Sequence, residues 1–267
     1  MRVISLTIAL VMSISTAFAE DSRLERLDTG DDGRQWEAVG RLDIGGRGFC
    51  TGALIAPDLV LTAAHCLFDK YSKTRIDHTK IEFLAGWRNG RASAYRWVKR
   101  AVTHPEFEYT SDAGEVRVRN DVALLELQRP INNTRIVPFQ TDRRPRKGQE
   151  IGVVSYARDR SEAPSLQEVC NVKARQFGVL VMSCDVNYGA SGAPVFSFEN
   201  DEPRIVSVVS AMAEVDGQKV SLGTLLQQPL EDLRAALDAG QGVFQDEAPK
   251  MFSNSIRRDT GAKFAKP

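Results

Sequence analysis

From Trp36 onward the chain is written in short apolar runs broken by Gly, Pro, Asn and Asp. The runs "AVGRLDI", "CTGALIA", "LVLTAAH", "KIEFLAG", "RWVKRAV" and "DVALLEL" have strand length and turn punctuation, the pattern of a β-sandwich or β-barrel. The polar, basic stretch "TDRRPRKGQE" (141–150) interrupts them and reads as a linker. A second set of strands follows: "EIGVVSY", "EVCNVKA", "GVLVMSC", "APVFSF", "RIVSVVSAM" and "KVSLGTLL". The period then changes. Leu226, Leu230, Leu233 and Leu237 share one helical face, with Pro229 in the first turn and Gly240 as the stop, which predicts a helix over 229–239. The layout is a first β unit at 36–140, a linker at 141–150, a second β unit at 151–228 and a terminal helix. Two flanks are charged or polar and poor in large apolar residues: 20–35, a flexible lead or pro-segment, and 240–267, a disordered tail.

Residues 1–19 follow a different pattern. Arg2, the apolar run "VISLTIALVMSIST" and the small-residue site "AFA" form a signal peptide cleaved after Ala19. The run is short for a membrane span, and Glu20 and Asp21 follow at once, so no membrane attachment is expected after cleavage. The chain is therefore expected to be exported, to a periplasm or to the outside. Charge adds little: 35 basic and 35 acidic residues balance, giving no electrostatic case for nucleic acid or an anionic membrane. Export does make the cysteines readable. Cys50, Cys66, Cys170 and Cys184 are an even number, which suggests two disulfides, and four cysteines allow three pairings. The simplest is local, Cys50–Cys66 and Cys170–Cys184. No CxxC spacing supports a metal site, and no cofactor is called for.

Three stretches carry chemistry, in this order: "LTAAHC" with His65, "NDVALLEL" with Asp121 and "GASGAP" with Ser191. A serine hydroxyl is a weak nucleophile at neutral pH and needs a base within hydrogen-bond reach. Imidazole titrates near neutrality, so it can take that proton and later return it to a leaving amine. A carboxylate orients the imidazole and stabilises its protonated form. Singly, each residue has an ordinary explanation in a turn or loop; the ordered set points to acyl transfer. His78, in polar "RIDHTK", reads as a surface residue, and His104, in "VTHPEF", as structural.

On these residues the sequence resembles a chymotrypsin/trypsin-like serine protease of the bacterial exported kind, over roughly residues 36–239. "CTGALIAPDLVLTAAHC", "DVALLEL" and "GASGAPV" carry the resemblance. It implies an all-β fold of two antiparallel six-stranded β-barrels with a C-terminal helix, the active site lying between the barrels. It also implies a Cys50–Cys66 disulfide beside the histidine. His65 would act as general base, Asp121 as its orienting carboxylate and Ser191 as nucleophile, with the backbone N–H groups of Gly189 and Ser191 as oxyanion hole. The expected partner is a protein or peptide substrate, and the expected state a monomer. The competing expectation is a non-catalytic binding or scaffold protein on a protease fold. A cage-forming quality-control protease is disfavoured, because a peptide-binding domain would not fit after residue 239.

The sequence departs from the family in two linked places. Animal members carry an aspartate where Ala190 stands, and it pairs with a new N-terminal amine. The activation ending, a basic residue before "IVGG", is also missing; the nearest text is "WEAVGRL". A buried carboxylate without its ammonium would be costly, so the two absences agree. Specificity is less legible. Asp185, six residues before Ser191, resembles the pocket-base aspartate of trypsin-like members, but the register differs, since Asn187 stands where a cysteine is usual. Asp185 also fits a hydrogen-bonded turn. In "VVSAM", Ser210, Ala211 and Met212 would form the pocket wall and pair with substrate backbone. Val209 stands where glutamate-specific relatives carry a histidine, which argues against that selectivity.

Overall fold

The computed structural model describes residues 22–109, 114–142, 145–198 and 202–244. It begins with a two-residue strand, β1 (Glu25–Arg26). Six strands follow: β2 (Val39–Ile44), β3 (Phe49–Ala56), β4 (Leu59–Thr62), β5 (Ile81–Ala85), β6 (Ala94–Thr103) and β7 (Ala123–Leu127). They close into an antiparallel barrel in the order β2-β3-β4-β7-β6-β5, which leaves no free edge. The second barrel is built from β8 (Glu150–Ala157), β9 (Arg160–Gln176), β10 (Val179–Met182), β11 (Pro194–Ser197), β12 (Arg204–Val215) and β13 (Gln218–Leu225). Here β9 pairs with both β10 and β8 and completes the closure. Each of the twelve apolar runs lies on one of these strands. The fold is thus the expected pair of six-stranded barrels.

The barrels meet on a small aromatic cluster. Trp36, from ahead of β2, packs with its ring centroid 5.0 Å from that of Phe196 on β11, and the Phe139 ring, from the inter-barrel segment, lies 4.7 Å from Phe196. All three are buried. Such aromatic pairs supply about 1 kcal/mol each beyond the area they remove from water.

A short helix, α1 (Glu115–Arg119), precedes β7, and α2 (Gln227–Asp238) closes the described chain. The apolar stripe Leu230, Leu233 and Leu237 buries α2 against β6 and β7 of the first barrel. Its C-terminal carbonyls are met by a cation, as the helix dipole favours. Arg100 on β6 donates to Leu237 O at 2.9 Å, and also pairs with Glu126 on β7.

Three expectations differ from what the structure holds. Residues 22–35 are not a lead without fixed contacts. β1 adds to β9, Ser22 Oγ accepts from the Val169 N–H at 2.7 Å, and Leu27 is 2% exposed. The charged residues of this stretch point outward and mask a strap on the second barrel. Residues 240–244, read as part of a disordered tail, run along β6, where the Ala101 N–H donates to Gly242 O at 2.9 Å. Residues 245–267 and the signal segment 1–19 lie outside the described residues. His78, read as a surface residue, is 2% exposed. Its ring lies edge-on to Phe244 and bonds Lys99 O at 3.0 Å.

Candidate active site

Strand pairing decides where His65 and Asp121 meet. β4 and β7 are neighbours with Thr62 opposite Ala123. His65 comes three residues after Thr62 and Asp121 two residues before Ala123, so both emerge at the same barrel rim. His65 rides on a single 3-10 turn, Ala64–Leu67, which the Cys50–Cys66 disulfide ties to β3. Asp121 is fully buried. Its Oδ1 accepts the backbone N–H of His65 at 2.8 Å, and its Oδ2 accepts from the ring Nδ1 at 2.6 Å. The Ser210 hydroxyl reaches the same Oδ2 from β12, across the barrel boundary. Burial alone would raise the Asp121 pKa. The His65 charge outweighs it, together with hydrogen bonds from the His65 ring, Ser210 and the His65 N–H, and the net shift is downward. An ionised carboxylate can only accept, so in the neutral ring the proton sits on Nδ1 and the Nε2 lone pair is left to act as a base.

The Ser191 loop is held by different means. Ala190 is fully buried in the second-barrel core with Val186, Ala193 and Val209. Along the loop, Tyr188 N–H donates to Asn187 Oδ1, Ala190 N–H to Asn187 O, Gly192 N–H to Val209 O and Ala193 N–H to Ala190 O. Among the described residues the N–H groups of Gly189 and Ser191 have no protein acceptor. Gly189 has φ +100°, and a Cβ there would lie 2.4 Å from the Phe49 ring, so the backbone needs glycine at this approach. Thr51 on β3 fastens the loop from the other barrel. Its N–H donates to Ser191 O at 2.8 Å and its hydroxyl to Gly189 O at 2.9 Å, while accepting the Tyr156 N–H at 3.1 Å. Gln167 fastens the loop's start. Its Oε1 accepts the Asp185 N–H at 2.7 Å, and its Nε2 donates to Ser22 O of the strap at 2.9 Å. The second disulfide, Cys170–Cys184, ties the same point to β9. Both bridges follow the local pairing.

His65, Gly189 and Ser191 open together onto a cleft of about 1070 Å³. The expected pocket residues lie outside the lining of this cleft. Asp185 is exposed with its backbone N–H bonded to Gln167, Ser210 is buried against Asp121, and Met212 is 44% exposed beside Ala211. None of the four lines this cleft. Neither Thr51 nor Gln167 was anticipated, although Thr51 is the single polar residue of "CTGALIA", a signal of a task other than packing. Among the described residues, the one grouping of three candidate metal-ligand side chains is Cys50, His65 and Cys66. Its two sulfurs are joined to each other, which removes the thiolates a metal would need.

The fold and this constellation define a two-barrel peptidase architecture. Residues 50–202, more than half of the chain, match the trypsin-like peptidase domain model, and the chain belongs to that family. It is similar to Serine protease 23 of Homo sapiens, 29% identical over 189 residues, 62% of this chain and 49% of that protein. It is also similar to a trypsin of Phaedon cochleariae, 36% identical over 104 residues, 39% of this chain and 36% of that one. The chain thus spans at most about half the length of these curated relatives. Both relatives are eukaryotic and lend no support to a bacterial source. The fold is shared with a solved Glu endopeptidase at TM-score 0.67, covering 83% of this chain and 98% of that one at 17% identity.

Proposed function

We propose that this chain is an exported serine endopeptidase. The observation that carries the proposal is the buried Asp121 bonded to His65 Nδ1 in a cleft shared with Ser191. Ser191 Oγ attacks the substrate carbonyl carbon and gives its proton to His65 Nε2. The oxyanion takes the unoccupied N–H groups of Gly189 and Ser191, worth about 3 kcal/mol each in comparable sites. The C–N bond breaks as the amine takes the proton from His65, leaving an acyl ester on Ser191. Water, deprotonated by His65, then hydrolyses that ester and restores the site.

Loop order does not rest on an N-terminal ion pair in this reading. Ala190 offers no carboxylate, and Thr51, Gln167 and core packing hold the loop instead. Export is supported by the signal-like residues 1–19 and the two disulfides. Among the described residues no helix is long and apolar enough to cross a membrane.

A phosphonate or sulfonyl fluoride probe tests the chemistry. It should label Ser191, and both Ser191→Ala and His65→Ala should abolish labelling. A folded wild-type protein that never labels would favour the scaffold alternative. Activity of protein starting at Glu20 tests maturation, since a strict need for a new N-terminus near Trp36 would refute the absence of a zymogen step.

A further inference from the structure

We propose that the enzyme selects peptides carrying a carboxylate beside an aromatic or other large apolar side chain just downstream of the cleaved bond. Arg47, Lys70 and Arg158, with Tyr71 and Tyr188, would read those residues. The inference rests on the peptidase reading above and adds its substrate class.

The side of the cleft comes first. The family resemblance implies that the acyl half of the substrate would pair with Ser210–Met212 on β12. The cleft beside the reacting groups is lined by none of these residues, but by Phe49, the Cys50–Cys66 bridge and the segment 68–71. It therefore receives the other half, the side of the leaving amine.

Its charge comes second. The whole chain is electrically balanced, yet Arg47, Lys70 and Arg158 line this cleft against one carboxylate, Asp69. Asp69 is occupied by its own turn. Its Oδ1 accepts the N–H groups of Tyr71 at 3.0 Å and Ser72 at 2.8 Å, and the nearest cation, Arg47, is 3.9 Å away. Lys70 and Arg158 meet no carboxylate among the described residues. Each instead lies over an exposed ring, Lys70 Nζ 4.6 Å from the Tyr71 centroid and the Arg158 guanidinium 5.3 Å from Tyr188. Tyr71 is 81% exposed and Tyr188 65%. Lys70 and Arg158, which meet no carboxylate, suit an acid, and the exposed faces of Tyr71 and Tyr188 suit apolar surface. Arg158 is also fixed to the reacting loop, since its N–H donates to Tyr188 O at 2.7 Å, next to Gly189.

The test uses the full mature chain and a peptide library to find a cleaved upstream half. That half is then joined to Asp-Phe-Asp, Lys-Phe-Lys or Asp-Gly-Asp downstream. The expected ratio of kcat/KM, acidic over basic, is about tenfold at low salt, falling toward unity as salt screens it. Replacing Phe by Gly should cost several-fold. Arg47→Glu/Arg158→Glu should invert the acidic-to-basic ratio, and the salt dependence of the wild type probes the same charges without any variant. A ratio near one at low salt, with Ser191 still labelled by the probe, overturns this inference alone. No cleavage and no labelling overturns the peptidase reading and this inference with it.

Discussion

The two halves of the site are stabilised in opposite ways. In the first barrel, His65 and Asp121 satisfy one another: the carboxylate accepts three hydrogen bonds, two of them from His65 itself. In the second barrel, the loop at 187–193 keeps the N–H groups of Gly189 and Ser191 unpaired and gives every other amide of the stretch 188–193 an acceptor. The base is held mainly by its own barrel, with Ser210 adding one bond from the other. The oxyanion loop is held by its own barrel through Gln167 and Val209, and from across the boundary by Thr51. A group that must keep one defined proton position gains from a closed network. A group that must meet a transient charge gains from donors kept free but immobile.

Breaking the closed half should have the largest effect. Asp121→Asn keeps the shape but offers a donor where Nδ1–H needs an acceptor. It should lower kcat by about four orders of magnitude, as measured in other triads. Ser210→Ala removes one of three bonds to the carboxylate and should cost far less, because both His65 contacts remain. Stopped assays of cleavage, with circular dichroism to confirm folding, separate these outcomes; equal losses would contradict the hierarchy of bonds.

The open half should break next. Gly189→Ala forces a side chain into φ +100° and against the Phe49 ring. Moving one oxyanion donor should lower kcat by about 10²-fold, with KM changed little. Thr51→Val keeps volume but leaves Gly189 O and the Tyr156 N–H without the hydroxyl. An unpaired buried polar group costs about 1–3 kcal/mol. The expected reading is a fall of about tenfold in kcat and in the rate of probe labelling, with Thr51→Ser restoring both. If Thr51→Val lowers thermal stability but leaves the labelling rate of the folded protein untouched, Thr51 is only a packing residue.

These halves are unequally legible in the sequence. Strand length, turn punctuation and the leucine period are visible because each is a local property, and the twelve runs form twelve strands. His65, Asp121 and Ser191 are visible because their contexts are local too. Thr51, Gln167 and Arg158 are not, because each acts on a residue 138, 18 or 30 positions away or through a cavity wall, and barrel closure sets those meetings. The strap at 22–35 misleads for the opposite reason. Its charged residues dominate its composition, whereas its structure rests on Leu27 and a few backbone bonds to β9. His78 misleads likewise, a polar context hiding a buried ring.

His78 gives the smallest effect, and one that belongs to stability alone. It takes no part in the catalytic argument, being bonded to Lys99 O and faced by Phe244, Arg75 and Asp77. Burial lowers its pKa; Arg75 adds to that, while the Lys99 carbonyl and Asp77 oppose it. The unfolded chain therefore binds a proton near pH 6.5 that the folded chain still refuses. Stability is fully present above that pH and is lost as pH falls from there toward the lowered folded value. His78→Gln keeps a donor for Lys99 O but cannot be charged. Urea midpoints measured from pH 8 to pH 5 should fall more steeply for wild type than for His78→Gln. Parallel slopes would mean that the 240–244 segment opens readily enough to let the imidazole titrate as it does in water.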